Sequence, residues 1–180
     1  MLVKTSYDSE ETEFKDVKGR INNNWLWVFH VDFWLPENAK SSGMYSIYDV
    51  KALGTSMKFN KEELEEKLRG AETYQGVRIN RDNGVAFAPR STIYLGKQTD
   101  WNKFAINGQN IAIFFPEGAE NLKELGKNHF KYGYNWGVTG NNNIEVRVSA
   151  LDSNGARLFV YGDWVDIDGY AFGVVDGVEQ

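Results

Sequence analysis

The chain has no cysteine, only two histidines, no long apolar run and no cluster of basic residues. Each absence removes a class of protein. Without cysteine there can be no disulfide, no thiolate metal site and no cysteine nucleophile, while the redox compartment stays open because secreted proteins need not carry disulfides. The start, Met1 to Glu11, holds no apolar stretch of signal-peptide length, and no later window approaches the ~20 apolar residues of a membrane helix. A protein made in the cytoplasm without a signal peptide is expected, reaching a virion if it is a particle component. Net charge is −5 and Lys and Arg are scattered, so nucleic acid is not an expected partner.

The common catalytic motifs are missing too. There is no Gly-x-Ser-x-Gly elbow, Walker loop, dinucleotide fingerprint or His-Glu-x-x-His helix. A carboxylate pair for glycoside hydrolysis could come from many of the 25 acidic residues, but its criterion is separation in space, which a sequence does not carry. These absences favour a binding or assembly protein over an enzyme, with no cofactor.

What the chain does have is β pattern and aromatic mass. From Trp25 to Leu35 every odd position is apolar, and the even positions carry Leu26, Val28, His30, Asp32 and Trp34. Successive strand residues point to opposite faces, so this is a long strand with one apolar strip and one face that turns polar. Met44 to Leu53 reads as a second strand. Asn83-Gly84, Asn107-Gly108 and Asn154-Gly155 each separate two apolar runs, which is the strongest short-range hairpin signal. A final alternating run spans Trp164 to Val175.

One helix is predicted at 61–69. Asn60 is a good N-cap, Glu63 can reach back to it, Phe59 can staple onto Leu64, and Gly70 is placed to end the helix. A second, shorter helix is expected at 118–126. Residues 1–24 read as a polar N-terminal arm with one short strand, and 25–180 as a single β-rich domain. At 180 residues such a chain buries roughly 70% of its unfolded surface without staples. The expected class is mainly β, α+β at the margin: an antiparallel sandwich or barrel with helices added outside.

Three groups of residues are candidates for function. His30 and Asp32 would lie on one strand face ~6.5 to 7 Å apart, as a general-base pair, two ligands of a metal site or the floor of a sugar site; the plainer reading is a partly exposed polar pair at the sheet's rim, and if the protein is an enzyme, these are its residues. His129 is too distant in sequence to be assigned as their partner. Asp163, Asp166 and Asp168 resemble part of a calcium loop. Counting defeats the EF-hand version, because with Asp168-Gly169 at positions five and six, Trp164 falls at position one and Val175 at twelve. An alternating strand with outward aspartates is the plainer reading.

The third group is aromatic. Aromatics make up 14% of the chain, and Tyr132, Tyr134, Asn135 and Trp136 sit in a Gly- and Asn-rich stretch to Gly140 that reads as a long loop. Tyr and Trp give amphipathic contact area at low entropy cost, as recognition loops and sugar-stacking sites require. The expected function is a structural component of a viral or phage particle (tail, decoration or fibre), oligomeric and bound to protein partners. The alternatives are a carbohydrate-binding module or carbohydrate-active enzyme, and an acidic inhibitor of a host protein.

Overall fold

The computed structural model describes residues 7–10, 12–23, 25–48 and 58–163. Among the described residues nine strands form one mixed sheet in the order β3-β4-β5-β2-β1-β8-β9-β7-β6. They are β1 (Trp25–Trp34), β2 (Gly43–Ile47), β3 (Glu72–Tyr74), β4 (Val77–Asn80), β5 (Val85–Pro89), β6 (Gly96–Gln98), β7 (Tyr132–Trp136), β8 (Glu145–Asn154) and β9 (Arg157–Asp163). The helices are α1 (Thr12–Asn23), α2 (Lys61–Lys67), α3 (Trp101–Ala105) and α4 (Gly108–His129). The class is mainly β with a few helices. The strands hydrogen-bond as a single open sheet, and it is helices that cover its inner face.

All pairings are antiparallel except that of β7 with β9. β1 is central, flanked by β2 and β8, and its register against β8 shifts between Trp27 and Val31, a bulge in mid-strand. The side chains of Trp25, Trp27 and Phe29, and the run Trp164 to Val175, lie outside the described part. The inner face carries Trp34, Met44, Ala86, Leu151, Leu158 and Val160, packed against Phe104 of α3 and Ile111 and Leu122 of α4. α1 adds Val17 and Ile21 to the same core. The stretch expected as a solvated arm is thus helical over Thr12–Asn23, tied down by Ser153 Oγ, which donates to Ile21 O.

Among the described residues the outer face is covered over one half only. There α2 lays Leu64 and Leu68 on Val31, Phe33, Tyr45 and Val85. Its ends follow the sequence signals: Asn60 Oδ1 accepts from Glu63 N at 3.2 Å, and Gly70 adopts φ 76° just past the C-terminus. Arg78 of β4 fixes the helix sideways with a forked pair onto Glu65 at 2.9 and 2.8 Å, which holds that carboxyl down at about 2.

Two hairpins stand where Asn-Gly predicts them, β4–β5 and β8–β9. In the second the turn residues are Gly155 and Ala156, with Gly155 at φ 59°. Asn107-Gly108 is a different object. Asn107 has φ −63° and caps α4, its Oδ1 accepting from Gln109 N at 3.1 Å, and no strand flanks it. The apolar residues Trp101, Phe104, Ala105, Ile111 and Ala112 follow helical spacing, and that period decides over the dipeptide. The second predicted helix likewise lies inside the longer α4, which breaks at Phe115 (φ 61°) before Pro116 and then runs through Gly126 to His129.

Gly126 and Gly133 mark where helices and sheet come closest. A Cβ at Gly126 would enter the Trp101 ring, and one at Gly133 would enter the buried Phe104 ring. Gly133→Ala should therefore lower the unfolding free energy by about 2 kcal/mol or more, because the ring has nowhere to go. Gly19→Ala, in α1 with no atom within 4 Å of the new carbon, should raise it by about 0.5–1 kcal/mol. Urea midpoints of the two variants check both signs, and equal midpoints would contradict the close approach.

Candidate functional site

β7 is the strand from which the candidate site is built. The segment expected as a loop pairs with β9 on one side and with β6 on the other. On its inner side Gly133 meets Phe104, and the fully buried Asn135 donates its amide to Gln109 Oε1 at 3.2 Å and Asn110 Oδ1 at 2.6 Å. Alternation then sends Tyr132, Tyr134 and Trp136 to the outer side. The stretch is a strand rather than a loop because its glycine and asparagine fill inward positions too close to helices for larger or apolar groups.

The neighbours complete an aromatic face. Across the parallel pairing Tyr132 stands opposite Arg157, Tyr134 opposite Phe159 and Trp136 opposite Tyr161. Leu158 and Val160, between them, belong to the inner core, so Arg157, Phe159 and Tyr161 share the outer side. The Tyr134 and Phe159 rings are 5.6 Å apart. Lys97 of β6 lies opposite Tyr134 and holds its ammonium 4.4 Å from the Tyr132 ring centre, while the Arg157 guanidinium is 5.2 Å from that of Phe159. Trp136 is 66% exposed, and Tyr132, Tyr134, Phe159 and Tyr161 are half-buried. At the edge strand β6, on the helix side, a cleft of about 380 Å³ opens between Tyr94, Gln98, Lys103 and Ile106.

Of the four residues singled out by sequence, three meet on this face and the fourth, Asn135, is buried beneath it. Phe159, Tyr161, Arg157 and Lys97 were not singled out. The alternation of Arg157, Phe159 and Tyr161 is visible in the chain, but the parallel neighbour that joins them to β7 is not.

His30 and Asp32 lie at the inner side of β1. Asp32 is 1% exposed, and its Oδ2 accepts from Ser149 while Oδ1 has no hydrogen-bond partner. The His30 ring packs edge-on against Tyr48 at 4.6 Å, with Nδ1 buried and unpartnered. Burial drives the two in opposite directions, Asp32 up to about 6 and His30 down to about 4. His129 does not join them. It ends α4, with Nε2 3.0 Å from Asp8 and its ring beside Tyr7. Among the described residues no group of three or more His, Cys, Asp or Glu could hold a metal ion. Asp163 closes β9 opposite Val148, and its side chain, Asp166 and Asp168 lie outside the described part.

Asp32 provides a test of this burial. Its folded pKa is raised from the ordinary 3.8 to about 6, so its stabilising contribution is full below about pH 4 and is lost as pH rises to 6. His30 is lowered from 6.5 to about 4, so its contribution is present above pH 6.5 and lost as pH falls to 4. The two slopes oppose each other, each amounting to roughly 3 kcal/mol. Asp32→Asn removes one of them. The stability of that variant relative to the parent should rise by roughly 3 kcal/mol between pH 4 and pH 6 and stay level above. Urea titrations across that range measure the difference, and parallel profiles would show that Asp32 is not desolvated.

No protein-family model matches the chain, and a search of curated proteins finds no match. A solved structure does, described as the accommodation of massive sequence variation in Nanoarchaeota by the C-type lectin fold. It aligns with a TM-score of 0.51 at 12% identity, over 91% of this chain and 78% of that one. At that identity the likeness is one of fold. Among the described residues no helix is long and apolar enough to cross a membrane.

Proposed function

We propose that this protein is a non-enzymatic carbohydrate-binding protein, and that it takes its ligand on the outer face of β6, β7 and β9. The observation that carries the reading is Trp136, a large ring 66% exposed at the end of a row with Tyr134 and Tyr132. A sugar ring offers a flat face of C–H groups and a rim of hydroxyls. Aromatic rings held upright on a rigid sheet suit the first, and the tyrosine hydroxyls, Lys97 and Arg157 suit the second. A strand is also a stiffer mount than a loop, so less order has to be imposed on binding.

The shared fold agrees with this reading only at its own level. What favours glycan is the chemistry of the face, which belongs to this chain. A component of a viral or phage particle, or an acidic inhibitor, would need a self-associating or partner surface, and no feature of this face favours either over a sugar. Asp32 and His30 are poorly suited to catalysis, since Asp32 is closed off from solvent.

An array of neutral and acidic glycans, followed by calorimetric titration of the best member, tests the proposal. Trp136→Ala should weaken that binding by about tenfold or more, some 1.4 kcal/mol. Its melting temperature should stay within a degree or two of the parent's, because so exposed a ring contributes little to the core. A parent protein that retains no glycan on the array, or a Trp136→Ala variant that binds as the parent does, would dismiss it.

A further inference from the structure

We propose that the sugar taken by this face is an anionic one, carrying carboxylate or sulfate groups, recognised by Lys97 and Arg157 beside the aromatic row. The inference rests on the glycan reading and adds to it the charge of the ligand.

The argument is one of charge matching. The chain has 25 acidic and 20 basic residues, so a cation has more potential partners than it needs. Arginines elsewhere are paired, Arg78 with Glu65, Arg81 with Glu72 and Glu117, and Arg90 with Glu37, as is Lys127 with Glu124, whereas Lys67 and Lys131 stand without a carboxylate within 4 Å among the described residues. Among the described residues, Lys97 and Arg157 also have no carboxylate within 4 Å. Both rest over tyrosine or phenylalanine rings, which orient a cation without neutralising it. On the neighbouring strand β8 the outward carboxylate is Asp152, opposite Phe159, and one of its oxygens already accepts from Ser153 N at 2.7 Å.

These cations also stand where a glycan lying along the rings would meet them. Lys97 is opposite Tyr134 and Arg157 opposite Tyr132, so each borders the aromatic row on its own flank. A planar guanidinium grips a carboxylate or sulfate through two parallel hydrogen bonds, and a lysine adds a point charge. Lys103 lies around the edge strand on the helix side, where with Tyr94 and Gln98 it lines the 380 Å³ cleft, and is not part of the aromatic face. A neutral sugar would leave Lys97 and Arg157 unanswered.

The test compares charged probes with their neutral counterparts: hexagalacturonate against its fully methyl-esterified form, and sulfated maltohexaose against maltohexaose. Each is titrated calorimetrically into the full chain. We expect one or both acidic probes to bind about tenfold or more tightly than the neutral partner, and the preference to shrink as salt is raised, by screening. Which acidic probe wins identifies the anionic group. The double variant Lys97→Gln, Arg157→Gln should lose about tenfold on the acidic probe and less than twofold on the neutral one. Should it fold poorly, Lys97→Met keeps the side-chain stem over Tyr132 and should show the same selective loss. Equal affinity for acidic and neutral probes, or undiminished preference in the variants, overturns the inference and leaves glycan binding standing. Poly-glutamate bound as tightly as the acidic glycans overturns it too, in favour of an acidic protein partner. Failure of every glycan on the array removes both.

Discussion

The inward position of Asn135 sets the direction of the whole candidate surface. Its amide is caught between Gln109 and Asn110 at the start of α4, and Gln109 Nε2 in turn donates to Trp136 O at 2.9 Å. A buried amide that lost these partners would cost about 1–3 kcal/mol for each group left unsatisfied, so β7 cannot roll over. A strand whose positions 133 and 135 face the helices has 132, 134 and 136 on the other side. The most exposed ring in the neighbourhood is thereby anchored, through its own backbone carbonyl, to the most buried polar network. Asn107 extends that network by accepting from Tyr94 N and donating to Tyr94 O, which sets the residue at the mouth of the cleft.

With the inner face closed by helices, the two halves of the outer face diverge. Over β5, β2 and β1 the side chains are Val85, Phe87, Tyr45, Ile47, Val31 and Phe33, and α2 covers them with two leucines and a stapling Phe59. Over β9 and β7 the outward positions pair aromatic rings with a cation, a combination that tolerates water on one side. The apolar half had to be covered, and the amphipathic half did not. The ion pairs divide in the same manner. Glu65 of α2 and Glu117 of α4 fasten their helices to Arg78 and Arg81 of the sheet side, and among the described residues Lys97 and Arg157 in the aromatic half meet no carboxylate within 4 Å.

Where local chemistry decides structure, it is legible in the chain. α2 starts and ends where Asn60 and Gly70 require, and β1 alternates from Val31 to Trp34 as its residues demand. The Asn-Gly rule holds at Gly84 and Gly155 because paired strands flank those turns. It fails at Asn107, where the same asparagine that favours a turn also makes a good helix cap, and only the helical spacing of Trp101, Phe104 and Ile111 separates the two outcomes. Residues 132–140 read as loop because glycine and asparagine are poor strand formers in isolation. Their cause is tertiary: Gly133 makes room for Phe104, and Asn135 answers Gln109. Nor does the chain reveal the parallel neighbour, since β7 and β9 are joined through β8 and the intervening loop, and no turn motif encodes that register. Half of the candidate face was therefore readable as an aromatic excess, and the other half required the sheet order.

The buried pair on β1 and the open row on β7 are rival sites, and solvent access decides between them. A shifted pKa in a protein interior often marks a functional group, because catalysis needs a proton held away from its ordinary value. In Asp32 the shift follows from burial, which outweighs the opposing hydroxyls of Ser149 and Ser46, and 1% exposure leaves no approach for a substrate. A desolvated carboxyl of that kind diminishes stability near neutral pH without meeting a ligand. The β7 face reverses each term: its rings and cations are partly exposed, their scaffold is fixed from below, and no other described residue closes over Trp136. The inner pattern of small, apolar and amide residues is set by the helices packed against it, as Gly133 against Phe104 and Asn135 against Gln109 and Asn110 show. The outward residues are not under that constraint, and their chemistry is therefore the better guide to what this chain binds.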